Sequence, residues 1–224
     1  MILGIDTSLG TAAAVVEPDG VVRAAASSDN PLGHAEVIGT LLESVLADAA
    51  HGPIGATVAP EPVVLTHVAA GMGPGPFTGL RIGIAAARAF ALARGIPVVP
   101  VVSHDAVALE LLLHAALTDA PAARFAVVTD ARRRESAYTA YDGLDDDGLP
   151  VRATEPALAP RDELDARLAE LRAVRRDATA IPGPMLALAA ARALAAGRAT
   201  GPAEPLYLRS PDVTIARAPK RVTA

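Results

Sequence analysis

Ile2-Leu3-Gly4-Ile5-Asp6-Thr7-Ser8 opens the chain with a short apolar run that ends on an aspartate. A second apolar run, Thr11–Val16, follows and closes at Pro18-Asp19-Gly20, a turn signal. Two adjacent antiparallel strands are expected, with a third at residues 21–26. The same order recurs later: residues 125–129 are apolar and end on Asp130, residues 136–141 form a second run, and Asp142-Gly143 closes it. Asp6 thus corresponds to Asp130, and Asp19-Gly20 to Asp142-Gly143. The similarity is one of order and chemistry rather than residue identity, and an internal repeat sets architecture. We therefore expect an α/β chain in two lobes built on one plan, residues 1–102 and 103–224.

Helices and further strands fill the spaces between these pairs. A helix is expected at residues 34–50, with Val37, Ile38, Leu41, Leu42, Val45 and Leu46 as its apolar face. These span roughly 180°, wider than the ~100° stripe that one core contact needs. Either the helix is well buried in its own lobe, or it faces both its sheet and a partner. A buried strand at 63–70 leads through a Gly-Pro segment into an Ala-rich helix that ends near Arg94-Gly95, where Gly is a common C-cap. A strand at 96–102 follows, then a helix at 104–117 with Ser103 as its N-cap. Asp145-Asp146-Asp147 reads as a solvated loop, and two more helices are expected at 162–174 and 184–196, with Pro184 at N1 and Gly197 as C-cap. An extended run at 205–208 leads into a polar tail.

The Gly-Pro segment is Gly71-Met72-Gly73-Pro74-Gly75-Pro76-Phe77-Thr78-Gly79-Leu80-Arg81-Ile82-Gly83. A Gly-rich loop between strand and helix is the usual place for a phosphate. The Gly-Lys-[Ser/Thr] ending of a P-loop is missing, and the glycines never fall into G-x-G-x-x-G. Pro74 and Pro76 also lack the N–H groups through which such a cradle works. Asp6, Thr7, Ser8, Gly75, Thr78 and Gly79 remain candidates for either a nucleotide loop or a purely structural one. The helix beyond carries Ala at 85, 86, 87, 89, 91 and 93, with Arg81 and Arg88 on one face. Small residues admit a second helix at close range, so Arg81, Ala85, Ala86, Arg88 and Ala89 join Val37, Ile38, Leu41, Leu42 and Val45 as a candidate partner interface, the alternative being an ordinary buried helix.

The 224 residues are 51% hydrophobic, ample for a core, and carry a net charge of −5, against a domain that grips phosphate backbones by bulk charge. No cysteine is present, which excludes disulfides, thiolate zinc sites and thiol nucleophiles. The N-terminus has no basic segment and no apolar run reaches the ~18 residues of a membrane span. A soluble, cytoplasmic protein is expected.

These residues resemble the TsaB family, partner of TsaD in bacterial N6-threonylcarbamoyladenosine synthesis on tRNA. The resemblance runs along nearly the whole chain. It is carried by residues 2–8, His34-Ala35-Glu36, residues 73–83, Gly95-Ile96-Pro97-Val98, Asp130-Ala131-Arg132-Arg133 and Pro205-Leu206-Tyr207-Leu208-Arg209. It implies the actin/sugar-kinase/Hsp70-like (ribonuclease H-like) fold with a reduced second lobe, and a subunit that does no chemistry itself. TsaD transfers the threonylcarbamoyl group to the adenosine beside the anticodon, TsaB pairs with TsaD through first-lobe helices, and the ATPase TsaE joins them. Carried over, the pairing surface is the helices at 37–46 and 80–92. This subunit would need no cofactor, ATP and Mg²⁺ serving the wider complex. tRNA would be met through that complex. Apart from the resemblance, an exposed apolar surface left free of its partner tends to self-associate, so a homodimer of the isolated chain is expected, and a stand-alone homodimeric scaffold using the same helices is a further reading compatible with the first. The chain departs from the family at Ala35 and Pro76, usually Ser, and at Arg134, usually Gly. Arg134 extends Arg132-Arg133 into a three-arginine run, read as a solvated strand end or as a segment near tRNA.

Two other functions are weighed. In an independent kinase or ATPase of this fold, Asp6 and Asp130 would hold Mg²⁺. The bland reading of each is a strand-terminal Asp capping a turn, and the late segment Ile181-Pro182-Gly183-Pro184 offers little to an adenosine. A metallopeptidase would need paired histidines, but His34, His51, His67, His104 and His114 include no i, i+4 pair and no H-E-x-x-H.

Overall fold

The computed structural model describes residues 1–30, 33–53, 55, 62–119, 123–198 and 201–209. The first sheet contains β1 (Ile2–Asp6), β2 (Thr11–Val16), β3 (Val22–Ser28), β4 (His67–Gly71) and β5 (Val98–Val101). Its order is β3-β2-β1-β4-β5, with the first three strands antiparallel and β4 and β5 parallel to β1. The second sheet uses β6 (Phe125–Asp130), β7 (Glu135–Leu144), β8 (Pro150–Arg152), β9 (Ala157–Pro160) and β10 (Val174–Asp177). β7 lies beside β6, β8 and β9 extend from β7, and β10 pairs parallel to β6 on its other side. The second sheet thus repeats the order of the first, β10 standing where β4 does and β8 and β9 together where β3 does, without a counterpart of β5. This is the two-lobed α/β fold that the repeat implies, with the second lobe reduced as the resemblance implies.

The repeat extends to hydrogen bonding. Asp6 Oδ1 accepts from Ser8 N at 2.6 Å, and Asp130 Oδ1 accepts from Arg132 N at 2.9 Å. Each aspartate closes the turn after the first strand of its sheet.

Five helices complete the layers: α1 (His34–Ala49), α2 (Phe77–Arg94), α3 (Ser103–Leu117), α4 (Leu164–Glu170) and α5 (Gly183–Ala195). α1 and α2 cover one face of the first sheet, where Leu3, Ile5, Val15 and Val68 pack on Leu41, Val45, Leu80 and Ile84. α5 covers the opposite face, and α3 packs between α5 and the second sheet. Ile2, Val16, Leu109, Val127 and Leu186 share that central core, so both faces of β1 and β2 are buried. Burial on both faces is why their sequences read as unbroken apolar runs. α4 closes the outer face of the second sheet through Leu164 and Leu168.

Four expectations need correction. β9 and β10 are strands that periodicity does not reveal, because β10 is an edge strand with every residue exposed and β9 is only four residues long. α4 is shorter than residues 162–174, since the chain turns at Arg172 with φ 53° and enters β10. Ser103 is the first helical residue rather than the N-cap, which is Val102. α5 starts at Gly183, so Pro184 is its second residue. The tail beyond residue 209 lies outside the described residues. No helix among the described residues is long and apolar enough to cross a membrane.

Candidate functional site

The turn between β1 and β2 is locked beneath the start of α2. Asp6 is 1% exposed, and its Oδ2 accepts hydrogen bonds from Ser103 and Ser8 hydroxyls, the latter at 3.2 Å. Burial pushes its carboxyl above the usual carboxylate range, and those hydrogen bonds pull the other way. Thr7 Oγ1 donates to the Gly79 carbonyl at 2.7 Å and accepts from the Gly83 amide at 3.1 Å. One hydroxyl therefore serves two backbone groups one helical turn apart on α2.

The glycines make this closeness feasible. A Cβ on Gly83 would stand 2.2 Å from Thr7 Oγ1, and one on Gly79 would stand 2.7 Å from the Thr7 carbonyl oxygen. A Cβ on Gly75 would stand 2.8 Å from Ser8 Cα, and one on Gly71 would strike the Asp6 carboxylate. Spacing of four residues puts Gly79 and Gly83 on one face of α2, and with Gly75 just ahead of the helix all three lie against the Thr7-Ser8 turn. The structural reading of this loop is the one its contacts support. Asp6 does not suit the Mg²⁺ of the kinase alternative, because hydroxyls enclose it and it does not face the cleft.

A cleft of about 470 Å³ opens between the lobes. The first lobe contributes His34 and residues 74–79, the second contributes Thr129, Asp130, Arg132 and Arg133, and Tyr207, Leu208 and Arg209 close one side. Of the loop candidates, Gly75, Thr78 and Gly79 reach this cleft, whereas Asp6, Thr7 and Ser8 lie beneath it. Residues 201–209 form a strap across the molecule. Leu206 N bonds the Met72 carbonyl at 2.8 Å, the Tyr207 and Phe77 rings are 4.8 Å apart, and Arg209 pairs with Glu135 on the second lobe. Residues 205–208 read from sequence only as an extended run, with no task attached to it. Its extended run with a single aromatic was the available signal.

The candidate interface residues divide into two groups. Leu41 and Val45 are 8% and 0% exposed and belong to the first lobe's own core, so they are not part of a free surface. Val37, Ile38 and Leu42 are half-buried along the edge of that core. On α2, Arg81, Ala85, Arg88 and Ala89 are exposed and Ala86 is half-buried. Two of these already have work within the chain. The Arg81 guanidinium lies 3.7 Å from the Phe77 ring centroid and donates to Tyr207 Oη at 3.2 Å, and Arg88 donates to the Ala203 carbonyl. Leu92, 84% exposed, extends the same helix surface.

The titratable groups are mostly absorbed into structure. His34 bonds Thr11 at 2.9 Å, and His104 sits fully buried between Thr129 and Thr139 hydroxyls at 3.0 and 2.8 Å. Burial lowers the His104 pKa to about 3, keeping the ring neutral. Asp105 takes a fork of hydrogen bonds from Arg152 and another from Tyr141 Oη at 2.8 Å. Asp130 is exposed and pairs with Arg161 at 2.5 Å. Its carboxyl is held below the usual range, first by the Arg132 amide and then by Arg161. Among the described residues no three His, Asp or Glu side chains gather as a metal site.

Residues 14–152 match the family described as TsaD: tRNA N6-adenosine threonylcarbamoyltransferase. An uncharacterized protein of Mycobacterium tuberculosis is 36% identical over 220 residues, covering 94% of this chain and 92% of its own. One from Mycobacterium leprae is 40% identical over 102 residues, 45% of this chain and 24% of its own. Two solved structures from Pseudomonas aeruginosa share the fold. One, described as an uncharacterized protein with similarity to peptidase YeaZ, superposes with a TM-score of 0.69 at 26% identity, over 93% of this chain and 99% of its own. The other, YeaZ, gives 0.66 at 23% identity, over 92% and 99%. The chain belongs to the TsaD family of tRNA N6-adenosine threonylcarbamoyltransferase proteins, as a TsaB-type member with a role in tRNA modification.

Proposed function

We propose that this chain is the non-catalytic subunit of a tRNA N6-threonylcarbamoyladenosine-forming complex, and that it docks a TsaD-type catalytic subunit through the outer surface of α1 and α2. The observation that carries the reading is the outward face of α2. Ala85, Ala89, Leu92 and Ala93 are exposed there side by side, and on α1 Gly39 faces open space. Small residues with one exposed leucine suit close helix packing against another chain. The consumption of Asp6 by Ser8 and Ser103 supports the non-catalytic part, because it leaves this acid at the end of β1 without a free oxygen facing the cleft.

A TsaE-type ATPase and tRNA would join through the assembled complex, in the cytoplasm, with ATP and Mg²⁺ used outside this chain. The isolated chain would cover the same face by forming a homodimer. The test is reconstitution of tRNA modification from purified subunits. This chain alone should modify no tRNA, and its omission should strongly reduce product formation. Undiminished modification without it, or ATP-dependent turnover by this chain alone that Asp6→Ala abolishes, would overturn the assignment.

A further inference from the structure

The β6–β7 hairpin carries Arg132, Arg133 and Arg134 in succession, with φ of 62°, 51° and 61°. Three consecutive non-glycine residues in the left-handed region are strained, and such strain persists where surrounding structure over-determines it, commonly at ligand clamps. Here the frame is visible. Asp130 Oδ1 holds the Arg132 amide, the Glu135 amide donates to the Arg132 carbonyl at 3.0 Å, and the Arg161 amide donates to the Arg134 carbonyl at 2.9 Å.

All three arginines are exposed, and Arg132 and Arg133 border the interlobe cleft. The acids beside them are already matched, Asp130 by Arg161 and Glu135 by Arg209. Arg124, Arg152, Arg167, Arg175 and Arg198 likewise pair with carboxylates of this chain. Arg134 has no such carboxylate among the described residues, and the charge of Arg132 also helps to lower the Asp130 carboxyl. Arg132, Arg133, Arg134, Arg161 and Arg209 outnumber Asp130 and Glu135 around the hairpin tip, a concentrated positive site on a chain whose net charge is −5.

We infer that Arg132, Arg133 and Arg134 grip the phosphodiester backbone of tRNA. The inference rests on the proposed role in the tRNA-modifying complex. Guanidinium groups match phosphate oxygens as planar forks, and a rigid hairpin presents them with little ordering left to do. RNA backbone is favoured over a free nucleotide because three successive arginines on an exposed tip suit successive phosphates along a strand.

The test is tRNA binding by the chain assembled with its TsaD-type partner, followed by fluorescence anisotropy of an unmodified transcript between about 50 and 200 mM salt. Replacing all three arginines (R132Q/R133Q/R134Q) should weaken binding at least about tenfold and flatten the log–log salt slope by about 2–3, from a loss of about 0.7–0.9 per phosphate contact. Arg134→Gly relieves the left-handed backbone. It should flatten the slope by about 1 without lowering the melting temperature, whereas a merely structural arginine would lower the melting temperature and leave the slope alone. Unchanged tRNA affinity and slope in the triple variant would overturn the inference, as would loss of the partner subunit from that variant. Loss of ATP binding with tRNA binding intact would assign the arginines to a free nucleotide and overturn it too. A complex that needs this chain for modification yet binds tRNA normally with the triple variant would sink the RNA contact alone. Modification that proceeds without the chain would sink the proposed function instead.

Discussion

Gly83→Ala tests whether the Gly-Pro segment is built around Thr7. In an ordinary helix interior, Ala in place of Gly gains about 1 kcal/mol. Here the new Cβ would lie 2.2 Å from Thr7 Oγ1, a distance that real Cβ atoms essentially never adopt, and 3.0 Å from Thr7 Cγ2, a very tight contact. The turn or α2 must move. Overpacking of this kind costs about 1–3 kcal/mol. The buried Thr7 hydroxyl would also lose its Gly79 and Gly83 partners, at a further cost of about 1–3 kcal/mol. With the helix gain set against these, we expect a net loss of about 3 kcal/mol, or about 6–12 °C in melting temperature for a chain of this size. Thermal and urea unfolding of the single variant, of Thr7→Ala and of the pair would measure it. Thr7→Ala removes both atoms nearest the new methyl, so the double variant should recover about 1–3 kcal/mol relative to additivity. A Gly83→Ala protein more stable than wild type, or strict additivity with Thr7→Ala, would refute the packing explanation.

Four further outcomes are expected. Leu41→Glu should prevent folding rather than remove a partner, because it places a carboxylate in the core where Leu41 is 8% exposed; the loss should exceed about 3 kcal/mol by circular dichroism melts. His104, depressed to about 3 when folded and near 6.5 when unfolded, contributes stability that is full above pH 6.5 and is lost as pH falls toward 3. Relative to His104→Gln, wild type should therefore lose about 2 kcal/mol between pH 6.5 and 5, read from urea midpoints; a parallel pH dependence in both would contradict the neutral-ring assignment. Tyr207→Ala removes the ring against Phe77 and the acceptor for Arg81, and should lower stability by about 0.5–1.5 kcal/mol while raising the hydrogen-exchange rate of the Leu206 amide. Arg152→Met leaves the Asp105 carboxyl with Tyr141 alone in a buried site and should cost about 3–5 kcal/mol in urea unfolding.

The two-lobe plan was legible because β1, β2, β6 and β7 are apolar runs with terminal aspartates and glycine turns, and these signals are local. β10 was not legible. Val174, Arg175, Arg176 and Asp177 carry no alternation because the strand is held by parallel backbone pairing to β6 rather than by a buried face. The wide apolar face of α1 was visible in sequence, but its division was not: Leu41 and Val45 serve the chain's own core, and only the sheet's position decides that. At the site, the two prolines argue against a phosphate cradle, because they lack N–H groups. What the glycines do instead depends on Thr7, more than 70 residues away in sequence. Ser103 read as a helix cap, and only the fold brings its hydroxyl to Asp6.

Docking through the outer face of α2 is tested most directly by the affinity of this chain for its TsaD-type partner when that face is altered without touching the core. Ala89 is exposed and belongs to none of the three core clusters, so Ala89→Arg should keep the wild-type melting temperature. Titration calorimetry should show binding weakened by at least about 100-fold, about 2.7 kcal/mol, with tRNA modification falling in step. An Ala89→Arg chain that binds the partner with wild-type affinity would contradict docking through α2.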